Sequence, residues 1–132
     1  MSKKRILVNA LSLNMVEGDV LFDCRKVSIK DARQLLSCGF ESAVGHEDLA
    51  RMLSRLLGFT VQARRVNVAV APGDELVIAQ YSGPRLEPGT TTLPEGAKIV
   101  WWYVIVQESG SIRELSAEVK RLRGLLGTAG AV

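Results

Sequence analysis

The chain has 132 residues, of which 47% are hydrophobic and 23% charged, and its net charge is +3. This fits a single globular domain that can bury a core without disulfides or a structural metal. It does not fit a protein built around long duplex DNA, because Lys and Arg are scattered outside Lys3–Arg5 and Lys120–Arg123. The two cysteines, Cys24 and Cys38, assemble no zinc-ligand spacing with the single His46, so no metal site is expected and both are read as free thiols. The opening MSKK runs straight into RILVNALSL without a signal-peptide pattern, and no apolar run reaches the roughly 18 to 20 residues of a membrane span. The expected location is therefore a reducing cytoplasm, without membrane contact.

In chain order, RILVNA (5–10) is a short apolar run suited to a buried strand, and LSLNMVEGD (11–19) reads as a loop. VLFDCRKV (20–27) is a second strand. Ser28 opens a helix, with Asp31 three residues on and Gly39 placed to close it. The clearest helix runs from His46 to Leu57, where Leu49, Met52, Leu53, Leu56 and Leu57 form one stripe and Gly58 follows as terminator. RRVNVAVAPGDELVIAQY (64–81) is expected as a hairpin, with Val66, Val68 and Val70 alternating before a Pro-Gly-Asp turn. Residues 82–98 hold three of the four prolines and three glycines, a 17-residue loop long for an idle connection. IVWWYVIVQ (99–107) is a β-favouring run expected at the centre of a sheet, with Trp101 and Trp102 pointing to opposite faces. From Ser111 to Leu126, Ile112, Leu115, Val119, Leu122 and Leu126 mark a second amphipathic helix. The expected fold is α/β: one domain over 1–110 with a mixed sheet of about five strands flanked by helices. Residues 111–132 would add a C-terminal helix and tail, packed on that domain or on a dimer interface.

Three stretches carry candidate chemistry. A lone histidine is more often structural than catalytic, but His46 opens a helix, where unpaired N–H groups favour an anion, and Gly45 lets a ligand approach the backbone. A phosphate docked beside an imidazole favours its protonated form, which describes a general acid switched on by its substrate. Asn9, Ser12 and Asn14 place three small polar side chains after the first strand, where open α/β sheets bind ligands; the alternative is a turn with ordinary side-chain-to-backbone bonds. In GPRLEPG (83–89), Arg85 suits a phosphate clamp and Glu87 can orient a hydroxyl or water; the alternative is a solvated turn with a surface ion pair. Arg65, at the start of the valine-rich stretch, is a weaker candidate. No Gly-rich phosphate loop, nucleophile elbow or acidic magnesium cluster is present, so any enzyme here is expected to work without metal or cofactor.

RILVNALSLNMV, SAVGHEDLARMLSRLLG, RRVNVAV and GPRLEPG, in this order and spacing, resemble the viral anti-CRISPR ring nucleases of type III immunity and their cellular relatives. The resemblance covers roughly residues 4 to 107 and rests mainly on the Asn-Ser-Asn strand-loop and the Gly-His helix start. It implies a homodimer that binds cyclic tetra-adenylate across its two-fold axis. It also implies metal-independent cleavage to linear di-adenylates, in which the ribose 2′-hydroxyl attacks and a 2′,3′-cyclic phosphate is left. On this chain it makes His46 the general acid, Asn9, Ser12 and Asn14 ligand contacts, and Arg65 and Arg85 the family's arginines. Many relatives carry a glutamate three residues after the loop arginine. Here that position is Pro88 and the nearest acid is Glu87, with Glu95 next.

Two other classes remain open on the sequence. The displaced glutamate favours a non-catalytic sponge or sensor for the same ligand. The basic excess allows a small nucleic-acid-binding protein, which a steep salt dependence of binding would reveal.

Overall fold

The computed structural model describes residues 4–90, 92–108 and 121–122. It contains β1 (Arg5–Val8), a 3-10 turn at Leu13–Met15, β2 (Leu21–Val27), α1 (Ile29–Ser37), β3 (Glu41–Ser42), α2 (Glu47–Leu57), β4 (Glu75–Ser82) and β5 (Lys98–Gln107). The strands form one five-stranded mixed sheet in the order β2-β5-β4-β1-β3. β1 pairs in parallel with β3 and with β4, while β5 pairs antiparallel with β4 and β2. The fold is therefore the single-domain α/β arrangement expected, with β5 inside the sheet. The predicted helix from Ser111 lies outside the described residues, apart from Arg121 and Leu122, which are helical and exposed.

Strand alternation sorts the core into two layers. Leu7, Val77, Ala79 and Trp101 face the helices and pack with Ala32 and Leu36 of α1 and Leu49, Leu53 and Leu57 of α2. Ile6, Val8, Leu76, Ile78, Val104 and Val106 face the other way, where Met15, Val16, Val20 and Val68 pack on them. The adjacent tryptophans accordingly separate: Trp101 joins the helix-side layer, and the Trp102 indole N–H donates to Gln80 Oε1 at 3.3 Å. Both faces of β1 and β4 are covered, which is why these strands read as nearly continuous apolar runs.

The helices end where their residues dictate. Ser28 caps α1 by accepting a bond from the Asp31 N–H at 3.1 Å. Gly58 closes α2 at φ 83°, in the left-handed region that glycine enters without steric cost. Arg33 of α1 reaches the same end, donating to the carbonyls of Leu56 (2.9 Å) and Leu57 (3.1 Å). A cation there opposes the negative end of the helix dipole.

The expected hairpin over 64–81 is not formed. Its second half is β4, but residues 64–69 make no strand, and Val66 is 44% exposed. Both edges of β4 are already occupied, by β1 and by β5, so the valine-rich stretch has no ladder to join. It meets the rest of the fold through isolated parallel bridges, Val16 with Val70 and Val44 with Ala63. The Pro-Gly-Asp turn serves a different purpose. Asp74, buried at 3% exposure, accepts bonds from the N–H groups of Ala71 (2.8 Å) and Lys4 (3.2 Å). It thereby delivers β4 beside β1 instead of folding back on residues 64–70. The fifth strand is the two-residue β3.

At the amino ends of β1 and β4, the Arg5 guanidinium donates to Glu75 Oε1 at 2.9 Å and to the Leu35 carbonyl, and the Tyr103 hydroxyl also bonds Glu75. Burial, followed by the bond to Glu75, pushes the Tyr103 hydroxyl above its ordinary pKa of 10.0. A raised phenol pKa stabilises the fold fully below the unfolded value of about 10, and that contribution is lost as pH rises through the folded value. Urea unfolding across the alkaline range should therefore show stability falling more steeply in the parent than in Tyr103→Phe. Equal slopes for the two proteins would contradict this assignment.

Candidate functional site

The parallel pairing brings three chain segments together. Asn9 follows β1, the stretch Ala43–His46 follows β3, and Gly83–Pro88 follows β4. All three leave carboxyl ends of parallel strands, the side of an open α/β sheet where ligands bind. Between them lies an open cleft of about 880 Å³, lined among others by Asn9, His46, Arg85 and Glu87. A second, shallower cleft of about 450 Å³ shares Asn9 and His46 and adds Gly45, Arg65 and Asn67. Six of the eight sequence-predicted site residues thus line two clefts that meet at His46.

The exposed His46 is the N-cap residue of α2, but its imidazole makes no hydrogen bond among the described residues. An N-cap side chain ordinarily accepts a bond from the first turn. Here Asn9 Oδ1 accepts from the Gly45 N–H at 3.5 Å, tying the end of β1 to the helix entry. Gly45 does not use a left-handed conformation; its small size instead makes room for Arg65. A Cβ at Gly45 would sit 3.4 Å from Arg65 Cγ, and Arg65 Nε donates to the Gly45 carbonyl at 3.1 Å. The close neighbour of this glycine is therefore an arginine stem.

The loop after β4 is built rather than slack. Gly83, at φ 150°, lies against Ala97, and a Cβ there would come within 2.6 Å of the Ala97 Cβ. That contact closes the base of the loop, and the Tyr81 hydroxyl donates to the Pro84 carbonyl beside it. Leu86 packs on the helix-side core. The Glu87 carbonyl accepts from the Thr90 N–H (3.1 Å) and hydroxyl (2.7 Å), turning the chain at its tip. The Gly89 N–H donates to Asp48 Oδ1 at 3.2 Å, which fastens the tip to the first turn of α2. Arg85 is exposed and makes no ion pair or side-chain hydrogen bond among the described residues.

The charge pattern decides where an anion would be held. Glu47 and Asp48 occupy the first turn of α2 and already oppose the positive end of its dipole. Arg51 lies beside both, at 4.0 Å and 3.7 Å. The helix start is therefore not a bare cationic site, and the positive charge on offer in the clefts comes from Arg65 on one side of His46 and Arg85 on the other. Among the described residues, no three His, Cys, Asp or Glu side chains cluster as metal ligands.

Ser12 and Asn14 are not brought to either cleft. Ser12 caps the 3-10 turn, its hydroxyl accepting from the Asn14 N–H at 3.3 Å, and Leu13 between them is 82% exposed. Glu95 is likewise absent from both linings. Sequence reading missed Asp48 and Tyr81, which both line the larger cleft. An acid in the first turn of a helix reads locally as dipole compensation, and nothing nearby in sequence announces the loop it meets.

A family model described as STIV B116-like matches residues 5–99, a span that includes every candidate residue above. The solved structure of B116 of Sulfolobus turreted icosahedral virus is similar at a TM-score of 0.68 and 28% identity, covering 77% of this chain and 98% of that one. Uncharacterized protein 26 of Sulfolobus islandicus filamentous virus (isolate Iceland/Hveragerdi) is 26% identical over 114 residues, 81% of this chain and 96% of that protein. Uncharacterized protein ORF117 of Acidianus two-tailed virus is 34% identical over 86 residues, 63% of this chain and 73% of that protein. The chain belongs to the STIV B116-like family.

Proposed function

We propose that the protein is a metal-independent ring nuclease that opens cyclic tetra-adenylate into linear di-adenylates ending in 2′,3′-cyclic phosphate. The supporting observation is the larger cleft, whose lining gathers an imidazole and a guanidinium that have no partner among the described residues, a carboxylate and an amide. Cleavage of an RNA phosphodiester without metal needs such a set: geometry for in-line attack, positive charge near the phosphate and a proton donor for the leaving oxygen. The ribose 2′-hydroxyl gives its proton to solvent water and forms the new bond to phosphorus, and the bond from phosphorus to the 5′-oxygen breaks. His46 donates the proton that the 5′-oxygen takes up. Arg85 balances charge on the scissile phosphate, Arg65 contacts the neighbouring phosphate in the second cleft, Asn9 contacts the ligand, and Glu87 orients the attacking hydroxyl. Ser12 and Asn14 belong to the same reading as contacts made by the outer turn.

The ligand's fourfold symmetry contains a two-fold axis. A homodimer would present the cleft twice, to opposite phosphates of one ring, so that two cuts release two halves. A second reading, a non-catalytic binder of the same ligand, is favoured by one feature: Pro88 stands where the resemblance to ring nucleases implies a glutamate, and the nearest acid is Glu87.

Incubation of the protein with cyclic tetra-adenylate in EDTA, read by mass spectrometry, should yield linear di-adenylate with cyclic phosphate. Intact ligand that co-elutes with the protein would support the binder; intact ligand that does not bind would overturn both readings. Loss of cleavage in EDTA with rescue by a divalent ion would overturn the metal-free step. In single-turnover assays, His46→Ala should lose about 10²-fold or more in rate with binding retained, and Glu87→Ala should lose less. Parent-like cleavage by His46→Ala would remove His46 from the mechanism.

A further inference from the structure

We infer that Asp48 is a positioning residue that sets the spacing between His46 and the Arg85–Glu87 loop; this rests on the catalytic reading above. The geometry comes from one carboxylate oxygen. Asp48 Oδ1 accepts the Gly89 N–H at 3.2 Å across 41 positions of sequence, joining the first turn of α2 to the tip of the β4–β5 connection. His46 lies two residues before Asp48, at the start of that same turn. Glu87 lies two residues before Gly89, inside the turn that the Glu87 carbonyl closes with Thr90. A single bond therefore relates the proton donor to the residues that face it across the cleft.

The rest of the loop cannot do this alone. The Gly83–Ala97 contact and the Tyr81–Pro84 bond lie at its base, beside the sheet. Leu86 holds the near side through the helix-side core. Among the described residues, only the Asp48–Gly89 bond fastens the chain beyond Glu87 to α2. Leu86 and Gly89 thus form two anchors that bracket Glu87 and Pro88. This also bears on the displaced acid, because the bond holds the backbone from which Glu87 reaches the cleft. The companion contact of Asp48, to Arg51 at 3.7 Å, is loose and lies on the helix itself, so it does not position the loop.

The test compares the parent with Asp48→Ala and Asp48→Asn. Both variants lose one of the two charges that oppose the α2 dipole, and Asp48→Ala loses the Gly89 bond as well, so Asp48→Ala should melt at the lower temperature. Only asparagine keeps an oxygen that can accept the Gly89 N–H. Hydrogen exchange at the Gly89 amide, followed by NMR on ligand-free protein, should speed up about tenfold in Asp48→Ala and stay near the parent rate in Asp48→Asn. The single-turnover rate at saturating cyclic tetra-adenylate should fall about tenfold or more in Asp48→Ala, with ligand affinity less affected, and be restored in Asp48→Asn. Unchanged Gly89 exchange in Asp48→Ala would overturn the inference. So would unchanged cleavage, or an equal loss in both variants, which would assign the effect to charge. If the parent itself leaves the ligand intact, the catalytic reading fails by that result, and Gly89 exchange alone decides whether Asp48 holds the loop.

Discussion

The molecule depends on the parallel pairing of β1 with strands on both sides. In register, Leu7 stands beside Ser42 of β3 and beside Val77 of β4, and Val8 beside Ile78. Because the three strands run the same way and are nearly level, the segments that follow them emerge at one edge of the sheet. Both faces of β1 are buried, with Leu7 against the helices and Ile6 and Val8 against the opposite layer. A slip of one residue would exchange the two faces, so the core itself enforces the register that assembles the site. At the far end, Arg5 ties β1 to β4 through Glu75 and to α1 through the Leu35 carbonyl, so an ion pair distant from the clefts guards the same alignment.

The charge arrangement around the clefts follows from this scaffold. A helix start alone would attract an anion, but Glu47 and Asp48 offset it, and Asp48 is committed to the Gly89 amide. Among the described residues, the His46 imidazole, the Arg85 guanidinium and the Glu87 carboxylate stay without a partner in the larger cleft. Arg65 is directed by its bond to the Gly45 carbonyl, so its position depends on a glycine that makes room for its stem. On the proposed reading, this arrangement would meet two phosphates of one ring from two sides of the histidine. The single imidazole of the chain stands where the two clefts meet, since His46 and Asn9 line both.

Much of this was legible in the residues because it is local. The stripe from Leu49 to Leu57, the Ser28 cap, the Gly58 terminator and the β-favouring run of β5 all report short-range physics. So does the placing of Asn9 and His46 at element ends and of Arg85 and Glu87 in the proline-rich loop. What was illegible depends on partners distant in sequence. The alternation in RRVNVAV has the pattern of a strand, yet pairing requires a free edge, and β1 and β5 occupy both edges of β4. β3 is too short to carry a pattern and exists because β1 offers it a ladder. Asp48 looks like dipole compensation until the Gly89 amide is seen beside it, and the Ser12–Asn14 turn satisfies its own backbone locally.

The most direct measurement is a crystal structure of the His46→Ala variant with uncleaved cyclic tetra-adenylate. The account predicts one phosphate of the ring in the cleft between position 46 and Arg85, its neighbour toward Arg65, and the ring's two-fold axis on that of a homodimer. A ring bound away from the carboxyl ends of β1, β3 and β4 would contradict it.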